Sequence, residues 1–149
     1  ICTSKISFKK ILVSPRNRII AQKLKRKFRK VSIAKNNQEI VNSCNWIFLA
    51  VTPKVGKKII PKLKFRSKQK VISFIATINL AQLKKVIGKK VKIVRAIPLP
   101  PISIRKGPVP ICPPDQQVKN FFNKLFNSWS PERLAISSNN SLLGSLISK

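Results

Sequence analysis

Short apolar runs alternate with amphipathic stretches along most of this sequence. Three of the runs, at residues 45–51, 71–78 and 92–97, are strongly apolar and each ends in a polar or proline-rich turn. Continuous apolar runs are typical of parallel strands that are covered on both faces. We therefore predict strands here, with a ligand bound where their carboxyl ends meet the following loops.

Shorter strands and five helices complete the pattern. The sequence predicts strands at residues 10–13 and 31–33, and an edge strand at 109–112, where prolines cannot donate to a ladder. Apolar residues at helical spacing predict helices at 18–28, 37–41, 53–63, 80–87 and 117–126. Strands that alternate with helices in this way indicate an α/β fold with a mostly parallel sheet.

Two details of the helices can be tested by a structure. In the first helix Ile19, Ile20, Leu24 and Phe28 share one apolar side, and the lysines and arginines face outward. The second helix has Asn37 at its start, where an asparagine side chain can accept from free backbone N–H groups and cap the helix.

Length and composition predict one domain followed by a tail. The chain has 149 residues, of which 43% are hydrophobic, enough to form a core. Residues 127–149 are rich in Ser and Asn, so we expect a domain over residues 1–126 and a tail of uncertain structure after it. The longest uninterrupted apolar stretch, residues 46–51, is too short to span a membrane, and no membrane association through a span is expected.

The charge suggests a second class of function. The sequence has 32 basic and three acidic residues, a net charge of +29, which attracts nucleic acid or anionic surfaces non-specifically. The alternative function is therefore a basic protein associated with nucleic acid or the ribosome. Against it, the basic residues are spread over several helices and no aromatic stacking surface accompanies them.

The side chains offer little metal or acid–base chemistry. Three cysteines without C-x-x-C spacing, and no histidine, predict neither a metal site nor a Cys–His nucleophile pair. Reduced cysteines indicate a cytoplasmic protein. No catalytic residue is identified, because the segment after the last parallel strand has no histidine or well-placed carboxylate.

Several segments resemble a known family when taken together in order. They are residues 11–17 (ILVSPRN), 37–41 (NQEIV), 46–56 (WIFLAVTPKVG), 69–78 (QKVISFIATI) and 92–115 (KIVRAIPLPPISIRKGPVPICPPD). These segments resemble the cofactor-binding domain of pyrroline-5-carboxylate reductases. The resemblance implies a Rossmann-like fold with helices on both faces, NADPH as cofactor with NADH possible, and reduction of a small cyclic imine in proline biosynthesis. It also implies a homo-oligomer for the complete protein.

The resemblance also implies missing parts. The family opens with a strand and a G-x-G-x-x-G turn, whereas Gly56, Gly88, Gly107 and Gly144 form no such motif. The chain starts at Ile1, after that point, and lacks the family's helical C-terminal domain. We therefore expect a fragment that is inactive alone, in which the strand at residues 10–13 has lost a neighbour or pairs elsewhere.

The resemblance assigns roles near the adenosine end of the cofactor. Ser14, Arg16 and Asn17 would lie by the ribose, where a hydroxyl and a guanidinium suit the 2′-phosphate of NADPH. The alternative is that these residues form a plain turn. Asn37 would lie on the adenine side, with a helix cap as its alternative role.

Two further loops would contact the rest of the cofactor. The ribose and phosphates would lie along backbone groups of one loop, at Ala50, Val51, Thr52 and Pro53. The nicotinamide would lie beside the other, at Ile75, Ala76 and Thr77. The alternative for this second loop is a strand end with a polar stop.

Overall fold

The computed structural model describes residue 2 and residues 6–99 and 108–125. The predicted tail and residue 126 lie outside these ranges. The described elements are, in chain order, β1 (Ile11–Val13), α1 (Arg18–Lys27), β2 (Val31–Ile33), α2 (Asn37–Ser43), β3 (Trp46–Leu49), α3 (Pro53–Ile59), a 3-10 turn (Ile60–Lys62), β4 (Lys70–Ser73), α4 (Leu80–Ile87), β5 (Lys92–Ala96), β6 (Ile111–Cys112) and α5 (Gln116–Leu125).

These strands form two sheets. β1 and β2 pair in parallel, with Ile11 opposite Val31. The second sheet has the order β3-β4-β5-β6, in which only the edge strand β6 is antiparallel. The mostly parallel α/β fold is thus confirmed. Among the described strands, β1 pairs with β2 alone and β3 with β4 alone, so the break in the sheet lies between β1 and β3.

Helices cover both faces of the larger sheet, as predicted. Side chains alternate between the faces of a strand, so neighbouring apolar residues of β4 enter different cores. Val71 packs with residues of β3, β5, α2 and α4, and Ile72 packs with residues of β5 and α5. The second core is aromatic where β3 meets α5: the ring centroids of Phe48 and Phe121 are 5.4 Å apart.

Helix α1 is not buried as its sequence pattern suggests. Ile19 and Ile20 are 70% and 54% exposed, and Ala21 is the buried residue of the helix. The pattern predicted the helix correctly, but the expectation that its apolar side faces a core is wrong. Helix α1 lies against β2 of the described two-stranded sheet, which is too narrow to cover the whole apolar side of the helix.

Strand β4 is shorter than the apolar run that predicted it. The run extends to Ile78, but the strand ends at Ser73, where the hydroxyl accepts from the Ile75 N–H at 3.3 Å and turns the chain. Ile75 and Ile78 stay buried although they lie in the loop. The apolar run therefore reflects the burial of its residues, and only its first half forms a strand.

Gln69 ties the end of α2 to the start of β4. Its side-chain amide donates to the carbonyls of Val41 and, at 2.7 Å, Cys44, and its oxygen accepts from the Arg66 N–H at 2.7 Å. The residue is 1% exposed. All three backbone groups therefore find their partner in one side chain.

Lys70 and Asp115 join β4 to the start of α5. The Lys70 ammonium lies 2.6 Å from both carboxylate oxygens and 2.8 Å from the side-chain oxygen of Gln117. Asp115 also accepts from the Val118 N–H at 2.9 Å and so caps α5. Burial would raise the pKa of Asp115, but the hydrogen bonds from Lys70 and Val118 outweigh it and hold the pKa below its ordinary value.

Among the described residues, no helix is long and apolar enough to cross a membrane.

Replacement of Gln69 by Met should destabilise the domain by about 2–4 kcal/mol, because it leaves buried carbonyls without a donor. Gln22→Met is the matched control, since Gln22 is exposed on α1. Chemical denaturation measures the free energy of unfolding of both variants. Equal stability of the two variants would contradict the role given to Gln69.

Stability should fall on acidification, and Asp115 should account for much of the loss. A depressed pKa in the folded state contributes stability that is present above the unfolded pKa of about 4 and lost as the pH falls through the folded value. The sequence has three acidic residues and no histidine, so few other side chains titrate there. Melting temperatures between pH 7 and pH 2 should converge for the parent and Asp115→Asn. A constant difference in melting temperature between the two proteins over this pH range would contradict the role given to Asp115.

Candidate cofactor site

The predicted site residues follow the carboxyl ends of parallel strands. Residues 14–17 follow β1, residues 50–53 follow β3, and residues 75–77 follow β4. β3 and β4 are neighbours, with Leu49 opposite Ser73, and the Phe74 N–H donates to the Leu49 carbonyl at 3.1 Å. The loops after these two strands therefore start side by side.

The loop after β1 is an ordered turn. The Ser14 hydroxyl donates to the side-chain oxygen of Asn37 at 2.8 Å and accepts from the Arg16 N–H at 3.3 Å. Asn17 caps α1 by accepting from the Ile20 N–H at 3.1 Å. These residues therefore form the turn that was their alternative role, with Arg16 exposed in it, and their role toward a cofactor stays a prediction. The Arg16 guanidinium is exposed and makes no hydrogen bond or ion pair within the described ranges.

Asn37 does not cap α2, and the predicted cap is corrected. Asn36 has the extended backbone of a cap residue, and its side chain accepts from the Glu39 N–H at 2.9 Å. Two consecutive asparagines can each serve as caps, and the local sequence does not distinguish them. As the first helical residue, Asn37 instead contacts Ser14 and joins the loop after β1 to the start of α2.

The loop after β3 leads directly into α3. Ala50 and Thr52 are exposed, whereas Val51 and Pro53 are half-buried, and Pro53 opens the helix as predicted. Gly56, one turn later, faces the next loop: a Cβ there would lie 2.8 Å from the Ile75 side chain. A side chain at residue 56 would force the end of the Ile75 side chain to move, so glycine favours this close packing of α3 against the loop after β4.

The loop after β4 presents a mixture of buried and open residues. Ile75 is 1% exposed, so its side chain belongs to the core and is not open to a ligand. Ala76 is half-buried and Thr77 is exposed. The Ala76 carbonyl accepts from Nη2 of Arg95 at 2.7 Å.

Arg95 was missed by the reasoning from sequence. It lies in β5, is 4% exposed, and its Nε has no acceptor in the described structure. Burial lowers the pKa of Arg95, which the nearby Cys112 partly offsets. One signal was available: a basic residue within the apolar run at 92–97. A buried charge of this kind is costly, which makes it a candidate for a special role.

These loops suit an anion better than a metal ion. Within the ranges described, no three His, Cys, Asp or Glu side chains come together as a metal site would require. The described carboxylates are engaged elsewhere, Glu39 with the Lys35 N–H and Asp115 with Lys70. The loops therefore combine backbone groups with the exposed cation of Arg16, while the buried Arg95 guanidinium lies behind the loop after β4.

Comparison with known proteins finds one family and several solved structures that this chain resembles. Residues 4–77 match the family described as NADP oxidoreductase, coenzyme F420-dependent. The fold resembles pyrroline-5-carboxylate reductases from Streptococcus pyogenes (17% identity, TM-score 0.71) and Coxiella burnetii (24% identity, TM-score 0.72). The chain therefore has the α/β fold of these reductases, and just under half of it resembles the NADP oxidoreductase family.

The structural matches cover most of this chain but only part of each relative. The Streptococcus and Coxiella alignments cover 92% and 91% of this chain and 52% of each relative. A Plasmodium falciparum pyrroline carboxylate reductase with NADP bound matches at 24% identity and a TM-score of 0.56, over 66% of this chain and 39% of its own. The chain thus spans about half the length of these relatives or less. No curated protein matches the sequence significantly.

The contact between Ser14 and Asn37 should be measurable in a double-mutant cycle. Removing either partner loses the same hydrogen bond, so Ser14→Ala and Asn37→Ala should couple by about 0.5–1.5 kcal/mol. Asn36→Ala should instead destabilise α2 by about 1 kcal/mol without coupling to Ser14→Ala. Chemical denaturation measures the free energy of unfolding of each single and double variant. Coupling of Ser14 to Asn36 in place of Asn37 would contradict the corrected cap.

Proposed function

We propose that this domain binds NADPH across the loops after β1, β3 and β4, and that the protein to which it belongs reduces a small cyclic imine such as pyrroline-5-carboxylate. The observation that carries the proposal is the exposed Arg16 guanidinium, held at the carboxyl end of β1 by the Ser14 turn. The relative with NADP bound supports the choice of cofactor.

The donor set at β1 fits the 2′-phosphate that distinguishes NADPH from NADH. A guanidinium without a carboxylate partner is free to bind phosphate through two parallel N–H groups. The Ser14 hydroxyl already donates to Asn37, so its part is to hold the turn that presents Arg16. Asn37 then lies between the ribose side and the adenine side of the cofactor.

The bound cofactor supplies the hydride, and the chain's own residues position it. Backbone groups of Ala50, Val51, Thr52 and Pro53 would line the ribose and phosphates. Backbone groups of Ile75, Ala76 and Thr77 would line the nicotinamide, with the buried Ile75 side chain and Gly56 as a close-packed layer behind them. Such a layer keeps water from one side of the site and fixes the loop.

These loops have no glycine-rich turn to bind the cofactor diphosphate and no residue to donate a proton to the imine. The sequence contains no G-x-G-x-x-G turn, so we expect weaker binding of the cofactor diphosphate than such a turn gives. The described loops also contain no histidine or carboxylic acid, so the proton taken up by the imine would come from elsewhere. We therefore propose that turnover requires more than these residues. Cytoplasmic location and a homo-oligomeric complete protein stay predictions.

The test is calorimetric titration of Arg16→Ala, with Arg18→Ala as matched control. Arg18 is also exposed and lies two residues away, so it carries the same general charge effect. Arg16→Ala should weaken NADPH binding by about tenfold or more, the order of one charge-assisted phosphate contact, and leave NADH binding unchanged. Arg18→Ala should change neither by more than about twofold, as expected for a screened charge.

Two results would contradict the proposal. One is equal loss of NADPH affinity in both variants, which would reduce the effect of Arg16 to net charge. The other is no saturable nucleotide binding by the parent chain together with tight, steeply salt-dependent binding of a DNA or RNA duplex, which would favour the basic-binder alternative.

A further inference from the structure

We propose that Arg95 is a positioning residue for the nicotinamide end of the cofactor: its buried guanidinium holds the Ala76 carbonyl and so fixes the loop on which the nicotinamide would rest. The inference rests on the proposed function, because the place of the nicotinamide comes from it. Arg95 itself contacts the loop and is not proposed to touch the cofactor.

The loop after β4 is held from two adjacent strands. Arg95 of β5 lies opposite Ser73 of β4 in the sheet register. Ser73 accepts from the Ile75 N–H at 3.3 Å, and Arg95 donates to the Ala76 carbonyl at 2.7 Å. Consecutive residues of the loop are thus bound by neighbouring side chains beneath it. Gly56 allows α3 to close on the same loop from the Ile75 side.

The charge of Arg95 is not explained by stability. Its side chain is 4% exposed, and its Nε lacks an acceptor in the described residues. Of the three acidic residues in the sequence, Glu39 and Asp115 are engaged elsewhere, and Glu132 lies outside the described ranges. A buried cation without a described counter-ion opposes folding. Groups kept at such a cost are expected where they serve a site.

Lys70 provides the contrast within the same sheet. It is buried to a similar degree, but its ammonium has Asp115 and Gln117 as partners. It lies at the amino end of β4, whereas Arg95 reaches the loop at the carboxyl end. Two buried basic residues therefore have different expected roles: Lys70 joins β4 to α5, and Arg95 orders a loop of the candidate site.

The experiment compares Arg95→Met with Lys70→Met, two replacements of a buried basic residue by the same apolar one. The ligands are NADPH and adenosine 2′,5′-bisphosphate, which has the 2′-phosphate but no nicotinamide. Arg95→Met should melt no lower than the parent, bind the bisphosphate equally well, and bind NADPH about tenfold more weakly, the order of one hydrogen bond to a charged group. Arg95→Lys should recover part of the loss.

A measurement without ligand supports the same conclusion. Amide hydrogen exchange at residues 75–78 should be faster in Arg95→Met than in the parent, while exchange within β4 stays unchanged. Lys70→Met should instead lower the melting temperature and weaken the binding of both ligands alike, because it leaves Asp115 without its cation.

Distinct outcomes overturn the two proposals. If the parent binds both ligands and Arg95→Met binds NADPH as tightly as the parent, the inference fails and the proposed function stands. The inference also fails if Arg95→Met melts as low as Lys70→Met and weakens both ligands equally, since that is a structural role alone. If the parent binds neither ligand, the proposed function fails and the inference with it.

Discussion

Apolar packing on both faces of the ladder β3-β4-β5 supports the rest of this structure. Val71 and Ile72, adjacent in β4, are both fully buried because helices cover the sheet on either side. Hydrophobic burial is non-directional, so it holds the layers together without choosing a ligand. Its consequence for function is geometric: parallel strands in fixed register bring the loops after β3 and β4 to one edge.

The polar residues within this packing lie at opposite ends of the strands. Gln69 and Lys70, at the amino end of β4, have their polar groups matched by backbone carbonyls, a carboxylate and an amide. Ser73 and Arg95, at the carboxyl end, bind the loop that follows β4. Buried polar groups stabilise a fold only when they are fully paired. The polar groups at the amino end are fully paired. At the carboxyl end the Nε of Arg95 has no acceptor in the described structure, so pairing there is incomplete.

The excess of basic residues changes how such groups can be paired. With three acidic residues against 32 basic ones, most cations have no carboxylate available and remain in water. Among the described residues, Lys70 is the buried cation that pairs with a carboxylate, that of Asp115. For the exposed cations the same scarcity leaves Arg16 unpartnered in the described structure, at the end of β1 where an anionic ligand would lie. Nothing in the structure explains why acidic residues are so few.

The fold class and most of the elements follow from the amino-acid sequence alone. Apolar runs marked the parallel strands, and prolines marked the edge strand β6. These signals are local, since side-chain periodicity and backbone freedom depend on a few neighbouring residues. They also placed the three candidate loops, because a loop after a parallel strand follows from knowing the strand.

Which of these residues contact one another depends on how the folded chain packs. This packing divided the sheet between β1 and β3, left Ile19 and Ile20 exposed, gave the cap of α2 to Asn36 and freed Asn37 to reach Ser14. It also joined Arg95 to Ala76, 19 residues apart in sequence. A local pattern states that a residue can be buried, capped or bonded, but the partner comes from a distant part of the chain and is fixed only when the layers pack.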